Sequence, residues 1–347
     1  KKLKHWLNSL SNKTAKRLSL GMLALGLLLF LLALWLNLGA GGGGTTLTTY
    51  AMGSYVQQTV YGGDEEGAAQ AANTAITELE DLISWRVEGS DVEQLNQAAG
   101  TDFLEIDQRT WNVLRTSLDV CQASGGAFDI TIAPISWLWD FDENPRLPQA
   151  ETTEALLPAV NYEDVSLLED GTAALQTHST ALDLGAVGKG AACDAAVDAY
   201  EEAGINRAVV SVGGSVGVYG EKPGGQPWTI ALRDPESQGS LGTLSIGEGF
   251  VSTSGSYEKQ FTQDGVTYHH LLDPATGYPA ESGLVSVTVW SQSGTLSDAL
   301  STACFVLGME DSLPLLEQFE AEAIFIDEGH HITATAGFEG SFQLESG

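Results

Sequence analysis

Apolar and polar positions fall into three regimes along the chain. Leu18–Leu38 is an uncharged, almost wholly apolar run, long enough to cross a bilayer. Residues 39–44 are glycine-rich and read as a flexible linker. From Thr45 the pattern breaks into short alternating stretches and longer helical ones, which predicts one folded domain over 45–340.

Thr45–Tyr61 alternates and is rich in Thr, Tyr and Val, the pattern of a hairpin turning at Met52-Gly53-Ser54. Gly67–Val87 puts Ala71, Ile76, Leu79, Leu82 and Ile83 on one helical face. Thr110–Gln122 reads as a second helix, stopped by Gly125-Gly126, and Thr152–Val160 as a short third. Val165–Leu168 and Ala173–Gln176 pair across Asp170-Gly171, a hairpin turn. Gly188–Ala203 is a small-residue helix ending at Gly204. Strands are expected at Ala208–Val212, Trp228–Leu232, Leu241–Ile246, Phe250–Thr253, Val266–Leu272 and Leu284–Trp290. Helices over Leu296–Leu307 and Ser312–Phe319 follow, and Ala323–Ile326 with Ile332–Thr335 closes the sheet. Strands outnumber helices and cluster in runs, so the fold class is α+β with antiparallel sheets and packed helices.

Charge sharpens the picture. Six of the 15 Lys and Arg residues (Lys1, Lys2, Lys4, Lys13, Lys16, Arg17) precede the apolar run, where there is no acid. That asymmetry predicts a cytoplasmic segment 1–17, a single-pass membrane anchor over 18–38, and a domain outside the cytoplasm. A cleaved signal peptide is the competing reading. Its apolar part is normally about 7–15 residues and ends at a small-x-small site, of which Leu38-Gly39-Ala40 is a poor version. After residue 40, nine basic residues face 46 acidic ones. Such a surface repels nucleic acid and anionic lipid, and needs a divalent cation to handle a polyanion. Cys121, Cys193 and Cys304 have neither metal spacing nor an even count for disulfides, and read as small buried hydrophobes.

Candidate chemistry gathers around Ala181–Asp198, ALDLGAVGKGAACDAAVD. Gly185, Gly188 and Gly190 let a backbone approach a ligand, and the helix start that follows suits a phosphate. Lys189 lies inside this turn and Asp183 at its start. Alone, the turn equally fits a tight strand-to-helix connection with a surface lysine. Gly125–Thr131, Ser211–Ser215 and Tyr268–Pro279 add further turn segments. Trp137, Trp139 and Phe141 form an aromatic run that either walls a flat ring or packs the core, the latter weighted more. Asp298 and Thr302 stand one helical turn apart, where a carboxylate and a hydroxyl both reach a hard cation. Asp298 also fits a plain helix-dipole charge.

Taken together, GAFDIT, LDLGAVGKGAACD, VSVGG, RDP, VSTSGSYEK, YHHLLDPATGYP, and LVSVTVW followed by LSDALSTACFVLG resemble, in order and spacing, the FAD:protein FMN transferase (ApbE) family, over roughly Thr45 to Phe338. The resemblance implies a flavin-binding α+β domain of the T-fold type. It implies Mg²⁺-dependent transfer of FMN from FAD to a threonine or serine hydroxyl of an acceptor flavoprotein subunit, with release of AMP. By position it implies that Met52, Ala127, Phe128, Asp129, Asp183, Lys189 and Leu272 contact FAD, the last through its backbone. Trp85 lies near where the family often has a tyrosine. The Ala186 carbonyl, Asp298 and Thr302 are the implied metal ligands, and His270 matches the family's histidine.

Two positions depart from the family pattern. Ser215 stands where Asp or Asn is usual, and Ser301 where some members have an acid near the metal. These departures motivate one alternative, a membrane-anchored FAD-binding protein without transfer. The change at Ser301 speaks against a second metal and the FAD hydrolysis that some members show, so an FAD pyrophosphatase is the weaker third reading. For transfer, the incoming hydroxyl needs a base, and histidine titrates near pH 6.5 unperturbed. His270 is the candidate, with a rate expected to rise through that titration; His269 is expected to bond a turn carbonyl.

Overall fold

The computed structural model describes residues 43–237 and 239–345. The expected anchor over 18–38, the basic segment 1–17 and most of the linker lie outside them. Among the described residues no helix is long and apolar enough to cross a membrane.

Eight strands form one antiparallel sheet in which spatial order follows chain order. They are β1 (Thr45–Ala51), β2 (Ser54–Val60), β3 (Ala208–Val212), β4 (Ser215–Tyr219), β5 (Gly249–Gly255), β6 (Leu284–Ser291), β7 (Glu322–Asp327) and β8 (Ile332–Ala334). Alternation along β3 shows how the layers arise. Val210 and Val212 face one cluster with Ala68, Ile76, Ala192 and Ala196, whereas Val209 faces another with Trp228, Ile230 and Leu244. Helices therefore cover one face, and a smaller three-stranded sheet covers part of the other.

The helices that carry the site are α1 (Glu65–Ile83), α2 (Gln108–Ala123), α3 (Ala133–Trp139), α4 (Gly188–Glu202) and α5 (Gly294–Leu307). On α1 the buried stripe runs through Ala68, Ala72, Ile76, Leu79 and Ile83, so Ala72 rather than Ala71 faces inward. The alanines of α4 allow it to lie close against its neighbours, closest at Gly190 and Gly294. A Cβ on Gly190 would stand 2.0 Å from the Gly294 carbonyl oxygen, and one on Gly294 would stand 2.2 Å from that of Gly190. Backbone meets backbone there, so no side chain can turn aside. Gly190→Ala is expected to force α4 and α5 apart and cost about 1–3 kcal/mol or more, lowering Tm by several degrees and activity with it. Thermal melts of the purified variant check this; an unchanged Tm would refute the close packing.

Two sequence expectations change. Val266–Leu272 is not one strand. Residues 266–269 pair with 260–263 in a separate hairpin, and Leu272–Asp273 pairs with Tyr278–Pro279. The break falls at His270, whose N–H donates to the Lys259 carbonyl while the Leu271 carbonyl accepts from Ala280. Strand β4 was not among the expected strands, and Gly217 lies at its centre. In the fold its missing Cβ makes room for the Phe250 ring, 2.9 Å from where that atom would sit. All three cysteines are free and buried, as expected.

Candidate active site

The turn before α4 is held from both sides. Asp183 Oδ1 accepts from the Gly185 N–H at 2.9 Å, and Oδ2 accepts from Ser136 Oγ of α3 at 2.8 Å. The Asp183 N–H donates to the Ile130 carbonyl, which ties the turn to the 127–131 segment. The tip of the β1–β2 hairpin overhangs it. Met52 takes a left-handed φ of 54°, and its sulfur lies 3.9 Å from where a Gly188 Cβ would be. The Lys189 chain passes close to Gly213, another left-handed position.

The start of α4 is already occupied by a carboxylate. Asp298, 3% exposed, accepts from the Gly190 N–H through Oδ2 at 2.9 Å, and Lys189 Nζ stands 3.7 Å from the same oxygen. The helix dipole that seemed free for a phosphate is thus partly spent on a protein anion. Burial pushes the Asp298 carboxyl up, while Lys189, Gly190 and the Ser215 hydroxyl pull it back down. A seam of buried hydroxyls runs beneath it between β4, β5 and α5. Ser252 Oγ donates to Ser215 Oγ at 3.0 Å and meets Ser297 Oγ at 2.9 Å. Ser254 Oγ meets Ser301 Oγ at 2.8 Å and Thr302 Oγ1 at 3.2 Å. The residue at the family's Asp/Asn position therefore supports Asp298 instead of adding a second acid.

Asp194 was not anticipated. From α4 it accepts the Gly294 and Thr295 N–H groups at 2.6 and 2.7 Å, and the Thr295 and Ser293 hydroxyls at 2.7 and 3.1 Å. It caps α5 across the helix pair and so fixes the helix that carries Asp298 and Thr302. Its signal in the sequence was an acid among the alanines of a buried helix.

The aromatic run divides. Trp139 is fully buried, donates to the Gly277 carbonyl at 2.9 Å, and packs among Phe141, Phe261, Tyr268 and Tyr278. Leu272 belongs to this cluster. Trp137 stays 39% exposed and meets half-buried Trp85 at 5.1 Å. Ala127 is half-buried, whereas Phe128 is core. Asp129 turns inward; its carboxylate accepts from the Thr131 N–H and hydroxyl and from the Tyr162 N–H. The structure thus gathers Met52, Asp183, Lys189 and Asp298 around the α4 turn, while the Phe128 side chain packs in the core and the Asp129 carboxylate is held by hydrogen bonds from Thr131 and Tyr162.

His269 behaves as expected: Nε2 lies 3.2 Å from the Ala280 carbonyl, and the ring packs edge-on against Phe305. His270 Nδ1 is buried without a partner. Burial, then the positive fields of Lys259 and Lys189, push the His270 imidazole down to about 3. It is neutral at ordinary pH.

The sequence profile of the ApbE family matches residues 52–325. The chain belongs to the ApbE family. The FAD:protein FMN transferase of Treponema pallidum is 32% identical over 288 residues, covering 78% of this chain and 80% of that protein. That of Klebsiella pneumoniae is 32% identical over 287 residues, covering 81% and 88%. Among solved structures, the ApbE protein of Thermotoga maritima superposes with a TM-score of 0.80 at 30% identity, covering 86% of this chain and 99% of that one. The flavin transferase ApbE of Vibrio cholerae gives 0.78 at 25% identity, with the same coverage. The ApbE match spans every residue expected at the site, from Met52 to Thr302.

Proposed function

We propose that this chain is an FAD:protein FMN transferase, moving the FMN part of FAD onto a threonine or serine hydroxyl of an acceptor flavoprotein subunit and releasing AMP. The observation that carries this reading is the meeting of Lys189 and Asp298 at the crossing of α4 and α5, under a glycine turn, in a chain of this family. The transfer is a displacement at phosphorus. It needs the diphosphate held and the incoming hydroxyl relieved of its proton.

The donors at the crossing fit Mg²⁺. Among the described residues no group of three or more His, Cys, Asp and Glu side chains is placed to hold a metal ion. One carboxylate is present, Asp298, and one turn on, the Thr302 hydroxyl lies 3.5 Å from the Asp298 backbone carbonyl and 3.2 Å from Ser254 Oγ. Mg²⁺ favours such a sparse oxygen set, because it usually keeps one or two carboxylates and takes its remaining oxygens from substrate phosphates and water. Asp298, Thr302 and the Ala186 carbonyl are the residues that would hold it. When bound, the ion supplies neutralisation of diphosphate charge. Lys189 adds a second positive charge at the same place, and Asp183 and Ser136 fix the turn that presents it. His270 receives the hydroxyl proton.

Incubation with FAD, Mg²⁺ and a peptide bearing an acceptor threonine tests the reading. A mass gain of one FMN on the peptide, with AMP released, is expected. Bound FAD with no transfer, or free FMN in place of modified peptide, would overturn it in favour of a binding protein or a pyrophosphatase.

The same reading anchors the enzyme through Leu18–Leu38, with the domain outside the cell membrane, supported by the basic flank. Protease added to intact cells is expected to degrade the domain while undigested protein stays in the membrane fraction. Recovery of a soluble form beginning near Gly41 would make the segment a signal peptide.

A further inference from the structure

We infer that Trp137 offers the stacking surface for a planar heteroaromatic ring of the dinucleotide, with Trp85 as its support. The inference rests on the reading that FAD is the substrate. Trp137 lies on α3, one residue after Ser136, which bonds Asp183 at the glycine turn, and two before Trp139, which is locked in the core. Both neighbours are fixed, so the indole between them is held at the edge of the site while 39% of it remains in water. An exposed tryptophan so tightly placed costs apolar hydration that covering it would recover.

Trp85 is the weaker partner for a ring. The Arg86 guanidinium lies over the Trp85 ring at 4.1 Å, and Trp137 meets that ring at 52°. Arg86 is in turn held by Asp142 at 2.7 Å, and Asp142 also pairs with Lys259, whose carbonyl accepts from the His270 N–H. This chain of contacts pins Trp85 as a backing and ties the ledge to the proposed base. A face covered by a cation is not open for stacking; the exposed surface belongs to Trp137.

Binding of FAD, FMN and AMP to the full-length protein in detergent, with Mg²⁺, tests this by calorimetry. Trp137→Ala is expected to weaken FAD binding about 5- to 150-fold, the range for loss of one aromatic stack, and Trp137→Phe to retain most of the affinity. Tm should hold, since the side chain is already exposed. The two half-molecules identify the ring: weakened FMN with unchanged AMP assigns the isoalloxazine, and the reverse assigns the adenine. FAD, FMN and AMP all bound as by the parent, or FMN and AMP weakened equally, would overturn the inference. Trp137→Gln serves the same comparison should the alanine variant fail to fold. A parent protein that binds no FAD would instead overturn the transferase reading, and this inference with it.

Discussion

Asp298→Ala is expected to cut FMN transfer by about 10³-fold or more while the fold survives. Its carboxylate is the one acid in the donor set proposed for Mg²⁺; Thr302 and Ala186 offer neutral oxygens. Loss of that charge removes several kcal/mol of stabilisation from the diphosphate transition state. The fold survives because the native carboxylate is itself costly. It is buried, with burial opposing its charge, and one lysine stands 3.7 Å away. Removing it leaves the Gly190 N–H without its acceptor, a cost of about 1–3 kcal/mol, but also removes an incompletely paired buried charge. Asp298→Asn separates the two effects, since its amide oxygen still accepts from Gly190. Both variants should lose transfer, and the asparagine should melt close to the parent. Transfer rates read by mass spectrometry across a Mg²⁺ titration decide. A parent-like rate for either variant at ordinary Mg²⁺ would remove Asp298 from the site.

Much of this site was legible because its parts are local in sequence. The glycine turn, Lys189 and the pair Asp298–Thr302 each follow from spacing on one element. So does the hairpin tip at Met52, where a left-handed residue between two alternating runs is what a two-residue turn demands. What pairing across elements decides was not legible. Asp194 looks like any acid on a helix until α5 is laid across it and its carboxylate receives four donors. Ser215 looked like a lost acid, and its role shows only when Ser252 and Asp298 are placed beside it. The aromatic run was ambiguous for the same reason. Residues 137 and 139 lie two apart on a short helix, so one is core and the other surface, and only the packing of α3 says which.

His270 is where local reading and structure differ most, and the consequence is kinetic. Sequence alone predicted a rate that rises with pH through an ordinary histidine titration. The structure places the imidazole in a buried setting with lysines at 259 and 189 nearby, which push it down to about 3. Protonation is the unfavourable direction, so the ring is already neutral, and able to accept a proton, throughout the range from pH 5 to 9. The contribution of His270 to transfer should therefore be flat across that range and fail only as pH falls toward 3. A base so depressed is also a weak one, so His270→Asn is expected to slow transfer by about 10²-fold, the lower end for a positioned base. FAD affinity should be nearly unchanged, since the contacts proposed for the diphosphate and the ring lie on α4, α5 and α3. Stability gives an independent readout. An unfolded histidine titrates near 6.5, so between about 6.5 and 3 the unfolded chain binds more protons at this position, and the parent loses stability as pH falls through that window. His270→Asn should remove that part of the acid sensitivity. His269→Asn should be milder in rate, because His269 bonds the Ala280 carbonyl and packs on Phe305, away from the Phe141 side that His270 faces. A His270 variant that no longer binds FAD would make the residue a substrate contact. A larger rate loss at His269 would transfer the role of base to the neighbouring ring.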